Sequence, residues 1–586
     1  MSHIMKIKLV SCFAIFAALF AVLGEGVPTD PVFDFNFIAN EPLQSKLLKL
    51  SEHDGIIVEE IEFMSDYDPA GKPIRTFGIL AYPKGGKNLP GIVWAMGGMA
   101  DAEVSFPEIF ARKGYMAISV NLPLKEWNGW GAFNAADPKN SNFVRLAVTH
   151  MRAVTYLANR PEINKERLGV GGASYGGMFA NMVAGADPRI KAGMSFFSGG
   201  NHHLGTNLPQ FLALSSLADI EVFKTTADGG FRFRGKSVPF LWGVASNDHW
   251  FELPAVVQTY IEAGGADKRI AIKPQWAHGF PPEFDQELID WFDVHLKKIR
   301  DPYNQPSAIT VKFEQNKLMA SWGWQGKNKI VKAELIVSYG RVLPWHGWIH
   351  RYNHRIKAEI DNVKASAEIP VFEPSMPIYM YANIMDSNGV LTSSEPVTLI
   401  PEKAGCVKKT ATRPINAAPW GDFEPEDFDF LSRHTELPFG VADAKEKASG
   451  TQSLCVESPG LAGKGHILDF KLFNVYERSH KLSLMVKSNK PAKLKIEVKV
   501  VPPANWQSPA LKAILASMGE PPAPAAGKSL PTHLLEAATN DKWQKFTLEC
   551  PFSDVPAEGY YLSLDFPSEK DLTIWLDAVE FIPVWK

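Results

Sequence analysis

The chain has 586 residues, too many for one hydrophobic core, so two to four folded units are expected. Its 45% hydrophobic and 21% charged content is that of ordinary folded protein. A formal net charge of −3 gives no reason to expect nucleic acid or an anionic membrane surface as a partner.

The N-terminal residues read as an export signal. Lys6 and Lys8 form a short basic region, residues 9–23 are an apolar run, and Val22 and Gly24 supply modest side chains for cleavage near Gly24 or Gly26. The run is too short and too weakly flanked for a transmembrane helix. Leu9-Val10-Ser11-Cys12 has the order of a lipobox, but it precedes the apolar run instead of following it, so lipidation is rejected. Residues 1–24 are therefore expected to be removed, leaving a secreted or periplasmic protein with no membrane partner. No other segment is long and apolar enough to span a bilayer.

Residues 25–302 alternate between strand and helix patterns. Strands are expected at 56–63, 76–82, 91–96, 116–120, 168–171, 192–197, 239–244 and 270–274. Several are continuously apolar, as strands covered on both faces by helices should be. The clearest helix is 142–159, where Phe143, Leu146, Ala147, His150, Met151, Val154 and Leu157 recur at helical spacing before Pro161. A second, 286–298, aligns Leu288, Ile289, Phe292 and Leu296. This alternation predicts an α/β unit built on a doubly wound, mostly parallel sheet.

After Asp301-Pro302 the helical signal stops. Residues 303–402 carry short alternating runs at 309–313, 333–337, 357–360 and 378–383, which predict a β-sandwich of the immunoglobulin or fibronectin kind. Residues 403–586 are β-patterned again at 482–486, 494–501, 545–549, 560–564 and 572–579, which suits a jelly roll interrupted by a Pro- and Ala-rich loop at 502–531. Beyond the signal there are three cysteines, Cys406, Cys455 and Cys550, which cannot all pair. One bridge from Cys455 to Cys550 and three buried thiols are equally open.

Gly172-Ala173-Ser174-Tyr175-Gly176 is the chain's single G-x-S-x-G. The pattern alone is weak, but 167–171 reads as a strand entering it and 178–183 as a helix leaving it. That is the strand–turn–helix of a nucleophile elbow, where flanking glycines permit the sharp turn that exposes the serine hydroxyl. A serine hydroxyl becomes a useful nucleophile only beside a base, which an acid must orient. In this arrangement acid and histidine follow the serine at the ends of later strands. Asp248 ends the loop after strand 239–244, and His278 follows strand 270–274, so Ser174, Asp248 and His278 are the expected triad. Either acid or histidine taken alone is more often structural; their order after these strands decides the matter. His249 adjoins the acid too closely to be the base, and the His202-His203 loop is expected to border the pocket.

The oxyanion of an acyl-transfer intermediate needs hydrogen-bond donors. The amide of Tyr175 is one candidate; the other should come from Gly97-Gly98-Met99, with Gly98 and Met99 the nominated amides and the choice left open. The loop 123–142 holds Trp127 and Trp130 at the strand ends that border the pocket, so these, His203 and Trp250 are candidate substrate contacts. Neither metal-ligand spacing nor a phosphate-binding loop occurs, so no cofactor or metal is expected.

Residues from about 55 to 400 resemble the dienelactone-hydrolase-like and acetylxylan-esterase-like α/β hydrolases, through the Ser174 elbow, Ser246-Asn247-Asp248-His249-Trp250-Phe251 and Trp276-Ala277-His278-Gly279-Phe280. The Asn247-Asp248 segment and Tyr379-Met380-Tyr381-Ala382-Asn383-Ile384-Met385-Asp386 are also similar to the PhoPQ-activated pathogenicity-related proteins. The C-terminal part resembles galactose-binding-like jelly rolls through Lys542-Trp543-Gln544-Lys545-Phe546 and the closing 575–581 segment. The resemblance implies an α/β-hydrolase fold and a serine esterase acting on an ester substrate, with acyl groups on polysaccharide as the suggested setting. The elbow also looks like that of prolyl oligopeptidases, but only about thirty residues precede the first strand, leaving no room for their upstream propeller. A peptidase and a carbohydrate-binding protein with a silent hydrolase unit are the competing expectations.

Overall fold

The computed structural model describes residues 30–584, except 69, 99, 124–131, 206–211, 266, 282–283, 285–286, 341–350, 412–414, 426, 428–430, 432–439, 458–465, 474–478, 502–531, 552–558, 568 and 570. The expected export signal and the Pro-rich loop 502–531 lie outside the described residues. Among the described residues no helix is long and apolar enough to cross a membrane.

Nine strands make the first sheet: β1 Lys46–His53, β2 Ile56–Tyr67, β3 Pro73–Pro83, β4 Leu89–Ala95, β5 Met116–Val120, β6 Ile163–Ala173, β7 Ile190–Phe196, β8 Phe240–Ala245 and β9 Lys268–Lys273. Their order is β1-β2-β3-β5-β4-β6-β7-β8-β9. β1, β2, β3 and β5 pair antiparallel in succession, and the remaining pairings are parallel. The central strands β4, β5 and β8 are buried at every position, which requires cover on both faces. Successive residues of β4 show it: Val93 and Ala95 join a core with the helix Asn142–Ala158, while Ile92 and Trp94 join another with Phe110, Phe292 and Leu296. This is the predicted α/β architecture, with one addition. β1 is exposed at nearly every position, including Leu47, Leu48 and Leu50, and has no alternation by which it could be read.

Helix Asn142–Ala158 is buried from Phe143 to Leu157, further round than an amphipathic stripe. Both of its arginines have partners in place. Arg145 Nε donates to Asp66 Oδ2 at 2.6 Å, and Arg152 donates to the carbonyls of Ile38 (2.9 Å) and Met64 (3.2 Å). Without those partners the burial would be prohibitive.

Among the described residues past 303 every strand pairing is antiparallel. Two five-stranded sheets between Gln305 and Leu399 share a core that includes Leu318, Trp322, Leu335, Met380 and Ile384. The single strand expected at 357–360 is two: His354–Lys357 lies in one sheet and Glu359–Asp361 in the other, and Ala358 between them is held by Ala333 O at 3.0 Å. A five- and a four-stranded sheet between Val441 and Pro583 enclose a further core around Leu482, Leu484, Ile496, Leu562 and Leu576.

The three cysteines are free and buried. Cys455 and Cys550 lie on strands of one sheet with two others between them, about 14 Å apart at ordinary strand spacing. A disulfide needs Cα atoms within about 7 Å, so that bridge is excluded.

The first of these β regions does not hang from the mixed sheet as a free appendage. It covers the exposed edge of β9. Ile272 N donates to Ser393 Oγ at 2.8 Å, Asn383 Nδ2 donates to Ile272 O at 3.0 Å, and Ser393 Oγ donates to Asn383 Oδ1 at 2.6 Å. Ile336, Tyr379 and Tyr381 are buried in the mixed sheet's own core. An open strand edge is thereby occupied by side chains.

Candidate active site

Ser174 is the residue between β6 and the helix Tyr175–Ala186. It sits at φ 55°, ψ −125°, a region that side-chain-bearing residues rarely adopt, at a cost of about 1–3 kcal/mol. The surroundings hold it there: its amide donates to Phe196 O at 2.8 Å. Gly176 is required by close approach, since a Cβ there would lie 2.0 Å from Ala95 O. The turn so formed leaves the serine partly exposed while Gly172, Ala173 and Tyr175 around it are buried.

Asp248 follows β8 and is 1% exposed. Its Oδ1 accepts the amides of Trp250 (2.8 Å) and Phe251 (3.0 Å), which fixes the carboxylate plane. Its Oδ2 faces His278 Nδ1 at 2.8 Å, and His278 Nε2 faces Ser174 Oγ at 2.8 Å. With the ring proton on Nδ1 and donated to Asp248, Nε2 is the acceptor for the serine proton. The structure thus brings Ser174, Asp248 and His278, spread over 105 residues of chain, into one hydrogen-bonded line.

Aromatic rings wall the imidazole. Phe251 lies parallel to it at 5.9 Å between centroids, and Phe197 meets it edge-on at 5.6 Å. His249 comes within 5.9 Å on the open side, next to Trp250, and both are exposed. Trp250 is therefore an exposed ring beside His249.

Of the nominated oxyanion donors, Tyr175 buries its ring against Phe179 (4.8 Å), so its backbone amide at the helix start is what it can offer. Gly97 lies against Ser174, where an added Cβ would be 3.5 Å from the serine Cβ. Gly98 follows at φ +59°, and Met99 lies outside the described residues. Trp127 and Trp130 also lie outside them. In the His202-His203 pair it is His202 whose ring meets Phe251, at 6.0 Å. Among the described residues the buried Nδ1 atoms of both have no hydrogen-bond partner, and burial lowers the pKa of His203 to about 4. Among the described residues no group of three metal-ligating side chains is assembled.

Three features near the site had no sequence signal. Asp228 holds the His202 loop, accepting the amides of Asn201 (2.6 Å), His202 (3.0 Å) and Gly230 (2.7 Å). Phe197 closes β7 at φ 46°. Arg351 and Asn353, some hundred residues past the acid, touch its loop. The Phe251 wall lay inside a segment already singled out for the site, and Phe197 only at the end of the strand expected at 192–197.

Residues 77–308, less than half of the chain, match the model of the dienelactone hydrolase family, and all three residues of the line fall inside that match. No curated protein matches the chain. Among solved structures, the chain is similar to an acetyl xylan esterase from Paenibacillus at 18% identity, covering 44% of this chain and 91% of that one, with a TM-score of 0.37. An acetyl xylan esterase from Thermoanaerobacterium aligns at 15% identity over 46% and 96% of the two chains, with a TM-score of 0.36. A glucuronoyl esterase from Solibacter usitatus aligns at 13% identity over 43% and 86%, with a TM-score of 0.34. The sheet order is that of an α/β-hydrolase fold, and residues 77–308 within it match the dienelactone hydrolase family.

Proposed function

We propose that the protein hydrolyses carboxylic esters through an acyl-enzyme on Ser174. The observation that carries this is the pair of 2.8 Å contacts linking Ser174 Oγ, His278 and Asp248. His278 Nε2 takes the Oγ proton as Oγ attacks the ester carbonyl, and then gives it to the departing alcohol oxygen. Water attacks the acyl-enzyme by the same route in reverse. Asp248 keeps the proton on Nδ1 and stabilises the imidazolium formed on the way. The amides of Tyr175 and of the Gly97–Gly98 turn are the proposed donors to the oxyanion.

The substrate we propose is an acyl group carried on polysaccharide, encountered outside the cytoplasm after loss of residues 1–24. Support comes from the exposed Trp250 and His249 rings, tilted at 46° to each other with His249 5.9 Å from His278, which offer aromatic surface at the mouth of the site. Acetate release from acetylated xylan, measured beside p-nitrophenyl acetate and with Ser174→Ala as blank, tests both parts. Release from both that vanishes in the variant supports the proposal. Turnover of the small ester alone keeps the chemistry and removes the substrate.

A further inference from the structure

We infer that Asn353, in the β region after the hydrolase domain, is a positioning residue for the acid and histidine loops, so that this region is a working part of the active site. The inference rests on the Ser174–His278–Asp248 reading above and deepens it.

The contacts converge on one point. Asn353 Nδ2 donates to Ser246 Oγ at 3.0 Å and to Asn247 Oδ1 at 3.3 Å, the two residues that lead into Asp248. Asn353 N donates to Gln275 Oε1, three residues before His278. Asn247 Nδ2 returns a hydrogen bond to Arg351 O at 2.7 Å. Ser246 Oγ donates to Asn247 Oδ1 at 2.6 Å and accepts Gln275 N at 2.9 Å, so the two loops are also cross-linked to each other. Gln275 itself is held at φ 52°. Asn353, Ser246 and Asn247 are all buried, where such bonds do not exchange freely with water.

A single buried amide therefore touches the chain one and two residues before the acid, while its own backbone touches the chain before the base. Rotating either loop moves Asp248 Oδ2 relative to His278 Nδ1, and a misplacement of about 1 Å in such a pair costs about a hundredfold in rate. The β9 edge contacts of Asn383 and Ser393 bind the same two regions together but reach neither loop. They provide a matched control.

The test uses the full-length chain with p-nitrophenyl acetate, comparing wild type, Asn353→Leu, Gln275→Leu and Asn383→Leu at a temperature well below every Tm. Asn353→Leu keeps the volume and removes the donor; Gln275→Leu removes the acceptor for Asn353 N and reads the same grip should Asn353→Leu not fold. The expected result is a kcat at least about tenfold lower in both, with KM within about twofold, and a lower Tm without that kcat loss in Asn383→Leu. A kcat within twofold of wild type in Asn353→Leu, or in Gln275→Leu if only it folds, overturns the positioning role. So does a kcat loss that Asn383→Leu reproduces at equal Tm. A folded wild type that neither turns over nor labels with a fluorophosphonate overturns the Ser174 reading itself, an outcome visible before any variant is made.

Discussion

Phe251 touches both members of the Asp248–His278 pair: its ring lies parallel to the His278 imidazole at 5.9 Å, and its amide donates to Asp248 Oδ1 at 3.0 Å. The acid is thus clamped by backbone on one oxygen and left with the other for the base. Asp248→Asn should keep the amide contacts to Oδ1 and the fold, but it then presents an NH₂ to Nδ1 and no longer enforces the tautomer. Turnover should fall by about 10⁴-fold with Tm within a few degrees, measured by ester hydrolysis and thermal melting side by side.

Two glycines of the site should respond very differently to alanine. A Cβ on Gly176 would meet Ala95 O at 2.0 Å, backbone against backbone, so Gly176→Ala should yield little folded protein. Among the described residues nothing lies within 4 Å of a Cβ on Gly98 and only its φ of +59° objects, so Gly98→Ala should fold with about 1–2 kcal/mol less stability. Soluble yield and denaturant midpoints separate the two.

Acid should destabilise the fold through His150. This residue is buried in the helix Asn142–Ala158, stacked on Phe179 at 4.9 Å, and desolvation lowers its pKa to about 4. An unfolded histidine titrates near 6.5, so between about pH 6.5 and 4 the unfolded chain takes a proton that the folded one refuses. Stability is then intact above that window and falls as pH drops through it, by about 2 kcal/mol at pH 5. Denaturation at about pH 7.5 and pH 5 should show this share of the loss missing in His150→Leu.

Reductant should leave stability unchanged, because Cys406, Cys455 and Cys550 are free thiols in the fold. Burial pushes the Cys455 thiol up to about 11 and that of Cys550 to about 12, so both should be slow toward alkylating reagents until the protein unfolds. A Tm that drops on adding dithiothreitol would contradict this.

What was legible in the sequence follows from what each residue had to satisfy locally. The strands β4, β5 and β8 are apolar because two faces cover them, and a run of that kind shows in any window. β1, solvated along its length, carries no such mark, and the division of 354–361 between two sheets turns on one residue, Ala358. Ser174 could be singled out because an elbow needs glycines at fixed offsets, and Asp248 and His278 because their order after strands is dictated by the sheet. Asn353 could not. Its importance lies in what it touches across 106 residues of chain, and an isolated asparagine between Tyr352 and His354 has no local pattern to betray that.

The central claim is that Ser174 is the nucleophile of an esterase, and the most direct measurement is p-nitrophenyl acetate turnover by wild type and Ser174→Ala, each checked for folding by its melting curve. The account predicts that the variant melts like the wild type and loses at least about 10³-fold in kcat. A folded variant that retains wild-type turnover would contradict it.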